Sequence, residues 1–128
     1  MHSPIPVALI TFFITAFALV LGLTPGLTWL DAGELMAASH ELGIAHPPGF
    51  PLFALMHKCV AMLIPIGDIA VRGNLASALI GSAGLSLMAH TNHLSGVSWF
   101  GSVGGALLVL TSPIFVLHGT TVEVYTGL

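Results

Sequence analysis

Long apolar runs alternate with short polar stretches along this chain, and the apolar runs predict its helices. The first run, residues 5–23, contains no charged residue. As a helix it would reach about 28 Å, close to the hydrocarbon thickness of a bilayer. We therefore predict a transmembrane helix over residues 5–23. A cleaved signal peptide is the alternative, but no lysine or arginine precedes the run and the apolar regions of signal peptides are shorter.

Two later apolar runs, residues 69–88 and 99–117, also predict transmembrane helices. The polar link between them, residues 90–98, is short, so the two helices are expected to be antiparallel. Pro113 is expected to kink the last turn of the third helix, because proline has no N–H to donate. The whole pattern predicts an all-α integral membrane protein with about three transmembrane helices, as a single membrane domain over residues 1–128.

The polar stretch between the first two spans, residues 24–68, is predicted to contain a short amphipathic helix at the membrane surface. Over residues 31–42, the acidic Asp31 and Glu34 are three positions apart and so share one helix face. This segment is too short and too polar to span a bilayer. Gly43 follows it and is expected to end the helix as a C′ glycine.

Prolines divide the rest of this loop into a turn and a helix in our prediction. His46-Pro47-Pro48-Gly49 predicts a rigid, non-helical turn. Residues 50–66 predict a second interfacial helix, although the stretch is apolar enough that a further span is the alternative. With three spans, residues 118–128 begin a second loop on the same side of the membrane as the first. This topology places Glu123 and Tyr125 on the side of the acidic helix.

Composition supports the membrane prediction and excludes one class of partner. The 128 residues are 55% hydrophobic and 5% charged, with a mean hydropathy of +1.02, whereas a soluble domain carries about 25% charged residues. Lys58 and Arg72 are the only basic residues. Because they form no basic patch, we expect membrane lipid as a partner and no nucleic acid.

Asp31 and Glu34 are the candidate catalytic residues, and two interpretations of them are open. Asp31 can be a helix N-cap with Glu34 as the partner of a capping box. Alternatively, Asp31 is a general base toward a hydroxyl acceptor, with Glu34 in support. An ionised group beside hydrocarbon costs about 2.5–3.5 kcal/mol on insertion scales, which favours a functional role.

Candidate groups for binding an anion or a metal are few. Lys58 and Arg72 are the fixed cations that an anionic leaving group such as a lipid phosphate would need, unless they only snorkel at the interface. His46 is a further candidate phosphate donor. His40, Glu41 and His46 do not have the H-E-x-x-H spacing of a metal site, so we predict no metal.

Several strings of residues together indicate a family. The most specific is Ala45-His46-Pro47-Pro48-Gly49-Phe50-Pro51-Leu52. It is joined by Leu30-Asp31-Ala32-Gly33-Glu34-Leu35, Pro65-Ile66-Gly67-Asp68-Ile69-Ala70, Asn74-Leu75 and Val122-Glu123-Val124-Tyr125. From about Pro25 to the C-terminus, the chain resembles the protein O-mannosyltransferase family that includes transmembrane protein 260 and bacterial relatives.

The resemblance implies an inverting glycosyltransferase of the GT-C class with many spans, of which this chain would be the N-terminal portion. Its donor would be dolichyl phosphate mannose in eukaryotes or a polyprenyl-phosphate sugar in bacteria, its acceptor a protein Ser or Thr hydroxyl, and no further cofactor is implied. Asp31 matches the catalytic loop aspartate and Glu34 its companion. Glu123 and Tyr125 match a second motif, and we expect them to bind the substrate or its phosphate. The loop over residues 24–68 would then be extracytoplasmic or lumenal, in a bacterial inner membrane or the endoplasmic reticulum.

Two hypotheses from other classes stand beside this one. The chain could be a small non-enzymatic membrane subunit whose acidic helix docks a partner. It could also be a fragment of a proton-coupled transporter, whose carboxylates relay protons within the membrane. The transporter is the weaker of the two, because the acidic residues lie in the predicted loops and not in the middle of a span.

Overall fold

The structure, a computed structural model, describes residues 5–28 and 31–123, and these residues fold into helices joined by short loops. No strand occurs in those two ranges, so the predicted all-α class is confirmed for them. The helices are α1 (Ile5–Leu21), α2 (Ala32–Glu41), α3 (Pro51–Leu63), α4 (Ile69–Leu94), α5 (Trp99–Leu110) and α6 (Pro113–Gly119).

Helix α4 is the longest helix, and α1 packs along it over the most extensive contact in the fold. Alanines and serines line much of the buried face of α4, and side chains of this size let two helix backbones approach closely. The Ser86 hydroxyl donates to the Ala8 carbonyl across this contact at 2.8 Å. A core that joins α1, α4 and α5 consists of Val7, Leu85, Ala89, Val103 and Ala106. We call this region the bundle core.

The opposite face of α1 is apolar and exposed. Ile5, Leu9, Phe13, Phe17 and Leu21 recur every four residues, and all are among the exposed large hydrophobic side chains. In the two described ranges, no single helix is long and apolar enough to cross a bilayer. Helices α5 and α6 reach that length and apolarity only as a pair, with a bend of 78° between them.

The largest differences from the predicted helices are in α4 and in the helix predicted over residues 99–117. Helix α4 continues to Leu94, so the predicted polar link over residues 90–98 is largely helical. The helix predicted over residues 99–117 is broken, because α5 ends at Leu110 and α6 begins at Pro113. The missing N–H of Pro113 favours the first turn of a new helix over the interior of a continuous one.

A second, smaller core lies under the polar loop. It consists of Ala32, Leu35 and Met36 from α2, together with Ala45 and Val122. These residues are distant in the sequence, and their contact brings α2, the proline-rich turn and the segment after α6 to one place.

The end of α2 differs from the prediction in one detail. Leu42 has the left-handed conformation, with φ 54° and ψ 36°, where the sequence predicted a C′ glycine at Gly43. The Gly43 N–H donates to the Ala38 carbonyl at 2.8 Å. The left-handed conformation costs a residue with a side chain roughly 1–2 kcal/mol. The helix nevertheless places Leu42, and not the neighbouring Gly43, in this conformation.

Candidate functional site

The acidic residues at the start of α2 meet a histidine from the proline-rich turn. The His46 backbone N–H donates to Glu34 Oε1 at 2.5 Å, and its Nδ1 donates to Glu34 Oε2 at 3.2 Å. On the other side of the ring, His46 Nε2 lies 3.9 Å from Asp31 Oδ2. His46 therefore stands between the two carboxylates. We call Asp31, Glu34 and His46 the acidic site.

The capping interpretation of the two carboxylates is wrong in this structure. Asp31 occupies the N-cap position of α2, but its side chain accepts no capping hydrogen bond. Only its backbone takes part, since the Asp31 carbonyl accepts from the Leu35 N–H at 2.8 Å. Glu34 turns toward His46 and not back to the helix start. The Asp31 side chain is 59% exposed, which leaves its carboxylate accessible to another molecule.

The proline-rich turn explains why His46 reaches α2. The Gly49 N–H donates to the His46 carbonyl at 2.8 Å, and Gly49 has a positive φ of 88° that glycine adopts without strain. The Pro47–Pro48 peptide bond is cis. Phe50 packs edge-on against the His46 ring, with 5.7 Å between ring centroids. Ala45 is buried in the smaller core, so the residue before His46 is anchored against α2.

His46 also lowers the pKa of Glu34. The hydrogen bond from the His46 backbone N–H lowers the pKa of Glu34, and the His46 ring acts in the same direction through its own hydrogen bond and charge. Burial acts against this by raising the pKa, but the net shift is downward. Glu34 is thus an anion at neutral pH and serves as an acceptor, not as an acid.

Glu123 comes close to the acidic site from the far end of the chain. It is only 5% exposed and follows the fully buried Val122. Burial raises the pKa of Glu123, the charge of Asp31 raises it further, and His118 partly opposes both. The structure therefore brings Glu123 within electrostatic reach of Asp31. Tyr125, predicted for the same site, lies outside the described residues.

Lys58 and Arg72 are both hydrogen-bonded to backbone carbonyls. Lys58 Nζ donates to the His40 carbonyl at the C-terminal end of α2, whereas Asp31 is at its N-terminal end. The 10 residues of α2 separate these ends by about 15 Å. Arg72 Nε donates to the Gly67 carbonyl at 3.1 Å. Among the described side chains, the ion pairs of the carboxylates are with histidines, so the structure does not place a fixed cation beside Asp31.

No role was predicted for His57 from the sequence, and the structure shows it buried between α3 and α4. Its side chain is 2% exposed, its Nδ1 donates to the Phe53 carbonyl at 3.1 Å, and its Nε2 accepts from the Ser77 hydroxyl at 3.1 Å. Burial lowers the pKa of His57 to about 4, so the ring is neutral at pH 7. Ser77 is fully buried, and the pair therefore joins α3 to α4. The sequence signal was a histidine within an apolar helical run, four residues after Phe53.

A divalent cation would have one possible position at the acidic site. Asp31, Glu34 and His46 each offer one ligand atom, and these atoms lie within 4.8 Å of one another. Two carboxylates and an imidazole suit several divalent metals. His46 already donates to Glu34, so the arrangement is also held together by hydrogen bonds of the protein. His40 and Glu41, 3.7 Å apart, form a separate exposed pair at the other end of α2.

Chemically, the arrangement presents an accessible carboxylate beside a histidine and near a second, buried acid. An aspartate carboxylate can accept a proton from a hydroxyl group that approaches within about 3 Å. Glu34 keeps the His46 ring in place, and His46 in turn faces Asp31. The exposed Asp31 carboxylate can therefore accept a hydrogen bond from a hydroxyl group.

Comparisons with known proteins agree with the resemblance found in the sequence. The family described as the protein O-mannosyl-transferase TMEM260 N-terminal domain matches residues 31–127. The mouse protein O-mannosyl-transferase TMEM260 is 49% identical over 61 residues, which are 48% of this chain and 9% of the mouse protein. The Dictyostelium discoideum protein O-mannosyl-transferase tmem260 is 29% identical over 104 residues, 80% of this chain and 13% of that protein. No solved structure matches the chain at a significant level.

Proposed function

Since the chain belongs to the TMEM260 N-terminal domain family of protein O-mannosyl-transferases, whose pattern matches residues 31–127, we propose that it carries the acceptor-activating part of a mannosyltransferase. The matched relatives are much longer than the match, which spans 9% and 13% of their length. The activity proposed here is therefore that of a complete enzyme that contains this chain. Its acceptor is a Ser or Thr hydroxyl of a protein.

The observation that carries this proposal is the state of Asp31. Its carboxylate is exposed, makes no capping hydrogen bond and faces His46. We propose that it accepts the proton of the acceptor hydroxyl. As the proton leaves, the hydroxyl oxygen forms a bond to the anomeric carbon of mannose, and the bond from that carbon to the donor phosphate oxygen breaks. Attack from the opposite side inverts the anomeric centre, as in a GT-C enzyme.

Glu34 and His46 support Asp31 in this proposal. The lowered pKa of Glu34 keeps it ionised, so it holds His46 through both the backbone and the ring. His46 then limits where the Asp31 carboxylate can point. Positioning of this kind contributes strongly to transfer reactions, because the reacting atoms must lie about 3–3.5 Å apart.

The donor is proposed to be a mannose linked to a polyprenyl or dolichyl phosphate. Its phosphate needs hydrogen-bond donors or cations as the leaving group departs. Lys58 and Arg72 are occupied with backbone carbonyls, so we assign them to holding their helices. Both nitrogens of the predicted phosphate donor His46 face carboxylates, so we propose that the phosphate contacts come from parts of the enzyme outside this chain. No metal or other cofactor is part of this proposal.

We further propose that the protein resides in a membrane, with the acidic site on the extracytoplasmic or lumenal side. The support is the exposed apolar stripe along α1 and the exposed Phe100, Leu108, Ile114 and Leu117 on α5 and α6. Contiguous exposed apolar surface is typical of contact with lipid or with another protein. A lipid-linked donor would reach the acidic site from the same membrane.

The test is a transfer assay on the full-length protein in membranes, with labelled polyprenyl-phosphate mannose and a hydroxyl-bearing acceptor domain. Asp31→Asn should lower transfer by about 10²–10⁴-fold, the usual contribution of general base catalysis. Glu41→Gln is the matched control, because Glu41 is an exposed carboxylate on the same helix that lies 3.7 Å from His40. This variant should leave transfer unchanged.

Other results of this assay would point elsewhere. Equal transfer by wild type and Asp31→Asn would remove Asp31 from catalysis. Loss of assembly with partner proteins in Asp31→Asn, without any transfer by the wild type, would favour the membrane-subunit hypothesis. Loss of pH-coupled flux would favour the transporter.

A further inference from the structure

Asn74, in the first turns of α4, fastens the loop that leads into the acidic site. Its side chain is 2% exposed, and Nδ2 donates to the Thr24 carbonyl at 2.8 Å and to the Gly26 carbonyl at 3.0 Å. Both amide hydrogens are thus used on one short stretch of backbone. Buried amide donors of this kind are costly to leave unpaired, so the loop that precedes Asp31 is held against α4.

The same loop is also joined to the segment that carries Glu123. The Thr24 N–H donates to the Thr120 carbonyl at 3.2 Å, and residues 120–123 are all buried. Asn74 thereby holds Thr24, and Thr24 holds the chain three residues before Glu123. The Asn74 side chain therefore holds the loop at Thr24 directly and the segment at Thr120 through that loop.

Gly73, the preceding residue, allows α2 and the Glu123 segment to pack against α4. A Cβ atom at this position would lie 2.5 Å from Met36 Sδ, too close to Met36 Cε, and 2.7 Å from Val122 Cγ2. Carbon atoms without a bond between them do not approach this closely, so only glycine fits without movement of a neighbour. The flexible end of Met36 can turn aside, whereas the β-branched Val122 has few χ1 rotamers and turns aside less readily.

We propose that Gly73 and Asn74 are positioning residues that set the separation of Asp31 and Glu123. Gly73 sets how closely α2 and the segment at Val122 approach α4. Asn74 holds the loop that precedes Asp31 and that is hydrogen-bonded to Thr120. Neither residue belongs to the acidic site or touches the reacting atoms. The inference rests on the proposed function, in which the geometry around Asp31 controls transfer. A displacement of about 1 Å at such a site can cost about 10²-fold in rate.

The kinetic test compares glycines of the same helix in the full-length enzyme. Gly73→Ala should lower kcat for mannosyl transfer by about 10- to 100-fold, with the KM for the lipid donor changed less than kcat. Gly84→Ala is the matched control, because a Cβ at Gly84 would meet nothing within 4 Å, and should retain the wild-type kcat. Val122→Ala removes the clashing methyl, so the double variant Gly73→Ala/Val122→Ala should recover most of the lost kcat.

The second test measures the geometry without activity. In a Cys59→Ser background, cysteines at Thr24 and Thr120 should form a disulfide readily, since these residues are hydrogen-bonded backbone neighbours. Asn74→Asp keeps the side-chain shape but removes both donors, and should slow disulfide formation severalfold. Ser86→Ala is its control, because it removes an α4 hydrogen bond to Ala8 on α1, and should leave the rate unchanged.

The outcomes separate the two proposals. If the wild type transfers no mannose, the proposed function fails, and the disulfide rates alone decide the role of Asn74. If the wild type is active but Gly73→Ala keeps its kcat, the positioning role of Gly73 is wrong. Loss of kcat that Val122→Ala does not restore, with a lowered melting temperature, would also overturn it in favour of a general folding defect. An unchanged disulfide rate in Asn74→Asp would overturn the role of Asn74.

Discussion

The bundle core and the acidic site are built by different means. The bundle core is a continuous packing of apolar and small side chains along α1, α4 and α5. The acidic site depends on one histidine that two hydrogen bonds join to Glu34, above a core of only a few residues. The stability of the bundle core depends on many packing contacts, whereas the geometry of the acidic site depends on a few hydrogen bonds. Changes in the first region should therefore act on stability, and changes in the second on transfer.

The largest expected effect is on the bundle core. Leu85 is 3% exposed within it, so Leu85→Ala should lower the free energy of unfolding by about 2–5 kcal/mol through lost burial and the cavity left behind. Leu87, on the same helix and 64% exposed, is the control, and Leu87→Ala should change stability by about 0.5 kcal/mol or less. Denaturant titrations of the purified protein in detergent measure both. Equal losses would mean that the bundle core is not packed as described.

A buried histidine should make stability depend on pH. The pKa of His57 is about 4 in the fold and 6.5 ordinarily, so between these values the unfolded chain binds the proton and the folded chain does not. Stability is then full above about pH 6.5 and falls by roughly 3 kcal/mol as the pH drops to about 4. His57→Gln should flatten this dependence, while His93→Gln, at a half-buried histidine near the end of α4, should keep it. A slope that survives in His57→Gln would place its origin elsewhere.

Removal of His46 should affect transfer more than stability. His46→Ala leaves Asp31 and Glu34 without the ring between them, and we expect kcat to fall by about 10- to 100-fold. The exposed His40→Ala, at the other end of α2, should have little effect. Melting temperatures should differ little among the three proteins. A large loss of stability in His46→Ala would erase the contrast between the two regions.

Chelation should have the smallest effect. Since His46 already bridges the two carboxylates, we expect transfer to be unchanged after dialysis against EDTA. The assay is transfer before and after chelation, with Mg²⁺ and Mn²⁺ added back. Activity lost on chelation and restored by one of these ions would instead make Asp31, Glu34 and His46 a metal site.

The same contrast explains what could be predicted from sequence. The helices α1 and α4 follow from long apolar runs, which are a local property of the sequence. The contact between Glu34 and His46 spans twelve positions and depends on the proline-rich turn, so the local pattern alone left open a capping box that does not form. Asn74 was noted only as part of a family string, because its carbonyl partners lie about fifty positions away. The site roles of Asp31, Glu34, His46 and Glu123 remain predictions.

The bend between α5 and α6 determines where the segment after α6 lies. Helix α6 has 7 residues and is about 10 Å long. With a bend of 78°, its far end lies about 13 Å from where a straight continuation of α5 would carry it. That displacement returns the chain to Thr24 and α2. A small change of the angle at Pro113 would move the far end of α6 and the segment that follows it. Substitutions at this break could therefore change the position of Glu123 without touching the acidic site.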